Sequence, residues 1–496
     1  MYFRSNAIVS RALLLGALAA GTAPAYAQGY IEVAPFDASV SAIQKAVRTT
    51  PDGSNHSILL ALRQLKDPAM RSLFQRLLSS EDPTLRIDAL LALAELGDGR
   101  IDPFLLKQFG ARERIIALAA AIDLELIDTQ VANKIANFDD LEPVELAIII
   151  AMQMNLGAEV DQKKLRTLLE DEDTVTRTIA AILLADLGDS SFMKDALKQY
   201  AASGPEERLY IASAVTDLAS WHPSPGALPL LEIIAHDQDF PRALRLAAVD
   251  AALACNCDKG IEVWDDACKL AVSSGDRTRL AVAALERGIV FVDWSGIRDE
   301  YRLNQALADA GEALAEGTGL PDRGKALLKS HHPLLTQGAL ALATHGSTED
   351  AEIIRLAIIE EALRDPRLYP AASRVVTDLS NAKSPQLQVL IERLVVHEDP
   401  RVAELAILGL MNAENPQGGE LAASFRDHHD RTVRSLALIT QARHGIQLDE
   451  EQMEELGTIA SGGGRVNPSA RAVAAWLWLR QSEAQERALA RIVGEA

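Results

Sequence analysis

A short pattern recurs along this sequence at intervals of a few dozen residues: an acidic turn residue, an Arg, an Ala three residues after the Arg, and then Leu and Ala at helical spacing. It is clearest at residues 82–89 (DPTLRIDA) and returns at 173–180 (DTVTRTIA) and 430–437 (DRTVRSLA). A fixed period in this range is typical of stacked helical repeats, in which each unit buries its apolar side against its neighbours. The chain is therefore expected to be a repeat protein.

The chemistry of the pattern predicts helices. Asp82 suits a helix N-cap and Pro83 the first helical position, where no amide hydrogen is needed. Asp365 and Asp399, each followed by Pro, repeat this arrangement. The recurring Ala residues allow a second helix to approach closely, and apolar residues rarely alternate with polar ones over the length of a strand. We therefore predict an all-α chain built from helix–turn–helix units.

The Arg of the pattern can be followed through much of the chain. One run is Arg177, Arg208, Arg245 and Arg279, with separations of 31, 37 and 34 residues, and Gln337 is the next position, 58 residues after Arg279. Arg114 and Glu145 precede this run, and Ala403, Arg434 and Arg471 follow it. The pattern resembles HEAT and HEAT-like repeats, which are antiparallel helix pairs stacked into a curved rod. The resemblance covers roughly residues 57–490 and implies an α-solenoid of about a dozen units.

The first 27 residues have the features of a cleavable export signal. Arg4 and Arg11 flank the start of a short apolar stretch, and residues 25–27 read Ala-Tyr-Ala, a typical cleavage site. We expect a periplasmic or secreted protein without membrane insertion, since no later apolar run is long enough to span a bilayer. The predicted organisation is a signal peptide at 1–27, an N-terminal lead-in and cap at 28–56, HEAT-like repeats at 57–287, an irregular or degenerate unit at 288–333, and HEAT-like repeats with a C-terminal cap at 334–496.

The charge of the chain limits its partners. The formal net charge is -21, and losing Arg4 and Arg11 would make it -23. Such an excess of carboxylates repels phosphate backbones and anionic lipids, so nucleic acid is not expected to bind. A protein partner is expected, and a basic one would be attracted.

The repeated Arg has two interpretations. In the family that the chain resembles, such an Arg pairs with the turn Asp of its own or a neighbouring unit and forms a ladder along the stack. A row of guanidinium groups that binds a ligand is the alternative. Asp and Arg recur together at loop-to-helix junctions, where capping favours a carboxylate, so the pattern favours the structural ladder.

The irregular segment is the first place to look for a site. Residues 288–333 depart from the Ala/Leu pattern and contain Trp294, Arg298 and Tyr301, which we take as candidate partner contacts because irregular insertions on a rigid frame often carry recognition. A degenerate repeat is the structural alternative. Trp476 and Trp478 cannot both face one core stripe of a helix, so one is expected in the terminal cap and the other, Trp478, as a contact residue.

Three cysteines cluster at Cys255, Cys257 and Cys268. In an oxidising compartment Cys268 is expected to form a disulfide with Cys257 or Cys255, and the alternatives are free thiols in the core or a redox or metal role. The pairs His331-His332 and His428-His429 are interpreted as solvated loop residues, because no third ligand stands at a fixed spacing. No catalytic residue, cofactor site or metal site is predicted.

Two classes of function fit these features. The first is an exported scaffold that binds another protein through the concave helical surface of its repeats, with no enzymatic activity. The second is a helical α/α-type enzyme that processes glycans of the cell envelope. Only 4% of the residues are Phe, Trp or Tyr, whereas sugar rings need aromatic stacking surfaces, and this favours the scaffold. HEAT-like bilin lyases are a third resemblance, which conflicts with export.

Overall fold

The computed structural model describes residues 35–48, 56–270, 273–290, 292–330, 332–397 and 399–495. The predicted signal peptide lies outside the described residues, as does part of the predicted lead-in. Within these ranges the chain forms 28 α-helices and six short 3-10 helices, and no strand is present. The predicted all-α fold class, helices packed in series as in an α-solenoid, is confirmed.

The α-helices, numbered in chain order, are Pro35–Val47 (α1), His56–Arg63 (α2), Arg71–Leu77 (α3), Pro83–Glu95 (α4), Pro103–Leu106 (α5), Ala111–Asp123 (α6), Thr129–Ile135 (α7), Pro143–Asn155 (α8), Gln162–Leu168 (α9), Thr174–Asp186 (α10), Met193–Ala202 (α11), Pro205–Trp221 (α12), Leu228–His236 (α13), Arg242–Ala254 (α14), Asp258–Leu270 (α15), Ser274–Glu286 (α16), Arg302–Glu316 (α17), Leu320–Leu328 (α18), Pro333–His345 (α19), Thr348–Ala362 (α20), Tyr369–Asn381 (α21), Pro385–Val395 (α22), Pro400–Asn412 (α23), Gln417–Ala422 (α24), Arg431–Arg443 (α25), Glu450–Ala460 (α26), Pro468–Gln481 (α27) and Gln485–Glu495 (α28). The 3-10 helices are Pro68–Met70, Ser190–Phe192, Pro225–Ala227, Trp294–Gly296, Pro366–Leu368 and Ala423–Phe425.

The described residues form two compact units. Unit 1 contains residues 107–115 and 127–357, and unit 2 contains residues 35–106, 116–126 and 358–495. In unit 1 the helices that carry the repeated pattern form one layer, in which α8, α10, α12, α14, α16 and α19 follow one another as neighbours. The remaining helices pack against one side of that layer, as α13 packs on α12 and α15 on α14.

The irregular segment interrupts this alternation. Helix α16 packs directly on α19, although two helices lie between them in the sequence. Those two, α17 and α18, pack against each other and both contact α19. Residues 288–333 therefore contribute no member to the pattern layer, which explains why the pattern is lost over these residues.

In unit 2 the pattern layer joins distant parts of the chain. Its neighbours in order are α21, α23, α25 and α27, and α27 then packs on the N-terminal helices α1 and α2. Helix α2 in turn contacts α4. The N-terminal helices thus take the place that a further repeat would occupy beside α27, an arrangement that the sequence pattern does not predict.

The repeated Arg closes the turn that precedes its own helix. Arg86, Arg177 and Arg434 are each the fourth residue of a helix, and each donates from Nη1 to the backbone carbonyl oxygen six residues earlier, at 2.6 Å in all three cases. The turn Asp instead caps the helix, as Asp173 does by accepting the amide of Thr176 at 2.9 Å. Arg177 and Arg434 thus bond to carbonyl oxygens of the turn and not to the turn Asp of their own unit, which differs from the predicted Asp–Arg pair.

One assignment in the series also changes. Arg277, not Arg279, is the fourth residue of α16, and its Nε donates to the carbonyl oxygen of Cys268 at 3.2 Å. Arg279 is exposed. The start of α16 is set by Ser273, whose side chain accepts the amide of Asp276, and this places Arg277 at the turn.

Arg114 forms an ion pair between neighbouring repeats. Its guanidinium binds Glu145 of the next pattern helix through two hydrogen bonds, Nε to Oε1 at 2.6 Å and Nη2 to Oε2 at 3.0 Å. Its Nη1 also donates to Asp140 Oδ2 and to the carbonyl oxygen of Phe109, both at 2.9 Å. Hydrogen bonding to Glu145 raises the pKa of Arg114. Here the ladder interpretation holds, with a Glu in place of a turn Asp as the main partner.

The other ends of the pattern helices are linked by a second set of polar contacts. In each, a side chain at the end of one helix reaches the backbone of a neighbouring repeat. These contacts are Gly226 N to Asp186 Oδ1 at 2.7 Å, His345 Nε2 with Glu286 O at 3.0 Å, Glu414 N to Asn381 Oδ1 at 2.8 Å, His444 Nε2 with Leu410 O at 2.9 Å, and Gln481 Nε2 to Ile446 O at 3.2 Å. They join the ends of neighbouring repeats through hydrogen bonds to backbone groups.

Candidate functional site

The structure buries the first predicted contact residue. Trp294 is only 4% exposed and meets Trp264 edge to face, with ring centroids 5.9 Å apart. Its ring also lies against Gly311 of α17, where an added Cβ would come within 2.0 Å of it. The prediction that Trp294 contacts a partner is corrected: this side chain joins α15, the irregular segment and α17, and it does not reach the surface.

Arg298 and Tyr301 remain at the surface. The Arg298 guanidinium lies 2.7 Å from Asp309 Oδ1 and 2.7 Å from Glu312 Oε2, and hydrogen bonding to Glu312 and Asp309 raises its pKa. Tyr301 is 43% exposed. Partner contact by these two residues stays a prediction.

Trp478 has a more enclosed position than expected. Its side chain is half-buried, and it lies beside Gly457 of α26 and close to Pro35 at the start of α1. Trp476 is fully buried. Both indoles therefore pack against neighbouring helices of unit 2, and contact of Trp478 with a partner stays a prediction.

The cysteines are three free thiols in the structure. Helix α15 begins directly after Cys257, so ten helical residues separate its start from Cys268, a distance of about 15 Å at 1.5 Å per residue. A disulfide requires Cα atoms closer than about 7 Å. The predicted pairing of Cys268 with Cys255 or Cys257 is therefore incompatible with α15. Burial raises the pKa of the Cys255 thiol to about 12 and raises that of Cys268 as well.

A solvent-facing stripe runs along four neighbouring pattern helices of unit 1. We call it the open face. It consists of exposed or half-buried residues at helical spacing on α12, α14, α16 and α19: Tyr210, Ala214, Asp217, Leu246, Ala247, Asp250, Arg279, Ala283, Glu286, Gln337, Leu340 and Thr344. Each of these helices packs its other side on the second layer, so the four stripes face the same way.

The open face has an apolar floor. Its apolar members stand along the middles of the four helices and are half-buried: Ala214, Leu246, Ala247, Ala283 and Leu340. Tyr210 lies near the start of α12 and is 63% exposed, among the most exposed aromatic or large apolar side chains described. An aromatic residue of this kind is a common energetic anchor in protein interfaces.

Carboxylates line the open face toward the helix ends. Asp217, Asp250 and Glu286 each lie within the last two turns of their helix. Asp250 Oδ1 accepts a hydrogen bond from Arg287 Nε at 3.0 Å, and burial lowers the pKa of that Arg. The face therefore combines an apolar middle with an acidic margin.

Two pattern helices of unit 2, α23 and α25, offer no such stripe. Residues 405–411 of α23 and 435–442 of α25 are buried without interruption, which covers every side of a helix over about two turns. The same is true of residues 87–94 in α4. Residues 178–184 of α10 in unit 1 are buried in the same way, whereas α21 of unit 2 keeps exposed side chains at Pro370, Arg374 and Asn381. Solvent exposure of one helix side is thus a property of particular pattern helices and not of every repeat.

The repeated pattern could not locate this surface, because it describes the buried positions of each repeat. One signal was present in the sequence. At Arg208 the Ala expected three residues later is Ile211, and the residues between them are Leu209 and Tyr210, both exposed in the structure. A large apolar pair at positions without a place in the core indicates a contact surface.

A carboxylate cluster in unit 2 has the perturbed groups that acid–base chemistry requires. The Arg401 guanidinium holds the pKa of Asp399 at about 2, whereas burial raises the pKa of nearby Glu404. Tyr369 donates to Asp399 Oδ2 at 3.2 Å. The Asp399–Arg401 arrangement recurs at Asp365 and Arg367, where it also caps a helix, and this repetition marks it as structural.

Metal binding has no support in the described part of the chain, where no three His, Cys, Asp or Glu side chains are grouped as ligands. His331 of the first histidine pair lies outside the described residues. His428 is buried and its ring lies 4.2 Å from that of His429, so only part of the predicted solvation holds. Burial lowers the pKa of His428.

None of the helices in the described residues combines the length and the apolar character needed to cross a bilayer. No known protein family, curated protein or solved structure matches the chain. Any assignment of function therefore has to come from the chain's own residues.

Proposed function

We propose that this protein is a non-enzymatic scaffold of the HEAT-like class that binds a segment of another protein along the open face. The observation that carries this proposal is a contrast among the pattern helices: the four neighbours α12, α14, α16 and α19 keep one side open to solvent, whereas α10, α23 and α25 are each buried on all sides over about two turns. Burying pattern helices completely is possible for this sequence, so an open stripe over four helices in a row calls for an occupant.

The chemistry of the open face indicates a basic amphipathic segment. Its small apolar floor would bury the partner's apolar side chains, and Tyr210 would serve as an anchor. Asp217, Asp250 and Glu286 at the margin would face Lys or Arg side chains. The net charge of -21 would also speed the approach of a basic partner and repel nucleic acid.

We also propose export to the periplasm or the exterior, on the basis of the sequence features of residues 1–27. Processing at residue 27 is checked by N-terminal sequencing of the protein purified from an envelope or culture fraction. Recovery of the unprocessed chain from the cytoplasm would contradict export without affecting the proposed binding surface.

Site-specific photo-crosslinking in cells tests the binding surface. A photoreactive residue at Ala247 or Ala283 should give a discrete crosslinked protein product, and the same residue at Val389, which is exposed on α22 of unit 2, should not. The substitution Ala247→Arg should abolish the product formed at Ala283. Equal crosslinking from Val389, or a product that survives Ala247→Arg, would refute binding along the open face.

A peptide probe tests the chemistry of the partner. An amphipathic helix-forming peptide of Leu and Lys should bind the purified full-length protein, and the matched Leu and Glu peptide should not. Asp217→Asn should weaken binding of the Lys peptide by roughly threefold to tenfold at low salt, as expected for one charge pair at a margin. Turnover of an envelope polysaccharide by the purified protein would instead support the glycan-processing alternative.

A further inference from the structure

One hydrophobic core in unit 2 joins segments from opposite ends of the described chain. Val40 and Ile43 of α1 and Leu59 of α2 pack in the same cluster as Trp476 of α27 and Ile492 of α28. All five side chains are buried. We call the contacts between residues 35–77 and residues 443–495 the end clasp.

Polar contacts in the end clasp align the two segments. Trp476 donates from Nε1 to Asp67 Oδ2 at 2.8 Å, across 409 positions of sequence. Asp67 also accepts the amide of Ala69 at 3.0 Å and faces Arg480 at 3.6 Å. A buried carboxylate with three partners of fixed geometry allows only one alignment of the two segments.

Further contacts lie along the seam. Arg443 Nη2 donates to the carbonyl oxygen of Gln64 at 3.3 Å, and Arg491 Nη1 lies 2.6 Å from Asp37 Oδ1. The Arg487 guanidinium lies 3.9 Å from the centre of the Phe36 ring. The seam therefore runs along both N-terminal helices and is not confined to one residue.

The N-terminal segment packs mainly on the C-terminal helices, although α2 and α3 also contact α4. Helices α2 and α3 contain eight and seven residues. Isolated helices shorter than about 12–15 residues are marginal in water, and their stability comes from packing an apolar side. For α1 that packing is against α26, α27 and α28, apart from its contact with α2. Helix α3 packs on α4 as well as on α28, but most of the packing that residues 35–77 make outside their own segment is with residues 450–495.

We propose that the end clasp imposes an order of folding: residues 35–77 stay unstructured until residues 450–495 are available, and the two segments then fold in one step. A chain is synthesised from its N-terminus, so residues 35–77 would emerge earlier and wait for residues 450–495. A chain kept partly unfolded in this way would also suit passage through an export channel, and only this consequence depends on the proposed export.

Pulse-labelling hydrogen exchange during refolding of the full-length protein tests the order. Peptides from α1 to α3 and from α26 to α28 should gain protection with the same rate constant, within twofold. Peptides from α10 to α14 in unit 1 should gain protection independently of them. Protection of α1 to α3 at least tenfold faster than that of α26 to α28 would overturn the proposal.

Two matched variants test the dependence in the native state. Trp476→Phe removes the donor to Asp67 and keeps an aromatic ring, and it should speed exchange in α2 by about tenfold or more, equivalent to about 1.4 kcal/mol. Trp264→Phe removes an equally buried donor to the Leu280 carbonyl oxygen in unit 1, at 3.0 Å, and should leave α2 within twofold. An unchanged α2 in Trp476→Phe, or equal effects of the two variants, would refute the proposed coupling.

Discussion

The buried ion pair between Arg114 and Glu145 allows a quantitative test of how neighbouring repeats are held together. The two side chains are 3% and 0% exposed and share two hydrogen bonds of 2.6 and 3.0 Å. Glu145→Gln keeps the shape of the side chain but removes its charge. Arg114 would then keep its charge in a buried position with only Asp140, which is half exposed, as a carboxylate partner.

The size of the effect follows from the burial. Breaking a buried pair by removing one partner costs about 3–5 kcal/mol, because the remaining charge is left without compensation. Asp140 Oδ2 still accepts from Arg114 Nη1 at 2.9 Å, so we expect the lower end, about 3 kcal/mol. In a unit of this size each kcal/mol shifts Tm by about 2–4 °C, so the expected loss is about 6–12 °C.

Urea unfolding of two single variants and of one double variant with apolar residues at both positions measures the contribution of the pair. Arg114→Met and Glu145→Gln should each destabilise by about 3 kcal/mol, whereas Arg114→Met with Glu145→Leu should recover most of that loss, because two apolar residues of similar volume leave no buried charge. As a control, Asp195→Asn removes the exposed pair with Lys198 and should change stability by less than about 0.5 kcal/mol. A loss below about 1 kcal/mol in Glu145→Gln would refute the reasoning.

Three further outcomes are expected. Hydrogen bonding to Asp88 raises the pKa of His56 above 6.5, so its contribution to stability is present below pH 6.5 and is lost as pH rises through the folded pKa. His56→Gln should remove this pH dependence from the free energy of unfolding measured in urea. The change should be less than about 1 kcal/mol, because the side chain is 36% exposed. Gly311→Ala should destabilise unit 1 by about 1–3 kcal/mol and shift Trp fluorescence, because the new methyl group overlaps the Trp294 ring. Cys268 should resist alkylation until the protein unfolds, since it is buried and its thiol pKa is raised.

Each of these outcomes has a comparison within the chain. His56→Gln that retains the wild-type pH dependence would show that the His56–Asp88 contact does not cause it. Gly110→Ala adds a methyl group where nothing lies within 4 Å, and an equal loss there would exclude overlap as the cause. Cys257 is half-buried and should react before Cys268, so the opposite order would contradict the assigned environments.

Local features of the fold were predictable because they depend on neighbouring residues. The N-cap at Asp82 is confirmed, with the amide of Thr84 donating to its side chain at 2.9 Å. The assignment of Arg279 failed for an equally local reason: Ser273 starts the helix, which places Arg277 at the turn. A Ser followed three residues later by Asp is a recognised helix start, so this error was avoidable from the sequence.

Contacts between distant residues were not predictable in this way. Nothing near Trp476 in the sequence indicates that its indole donates to Asp67, and an apolar terminal helix fits a cap as well as a seam. The burial of Trp294 depends similarly on Gly311, which looks like an ordinary helical residue. Such contacts are set by tertiary packing, whereas repeat patterns report only what each repeat shares with the next.

The polar contacts at the helix ends have a consequence for binding along the open face. The link from Gly226 to Asp186, like that between His345 and the Glu286 carbonyl oxygen, ties adjacent repeats through directional bonds. Apolar packing alone would let neighbouring helices slide, whereas such bonds fix their relative height. A stripe that spans four helices keeps one arrangement only if those heights are fixed. We therefore expect these side-chain links to hold the open face in one arrangement, which would lower the entropy cost of the binding proposed there.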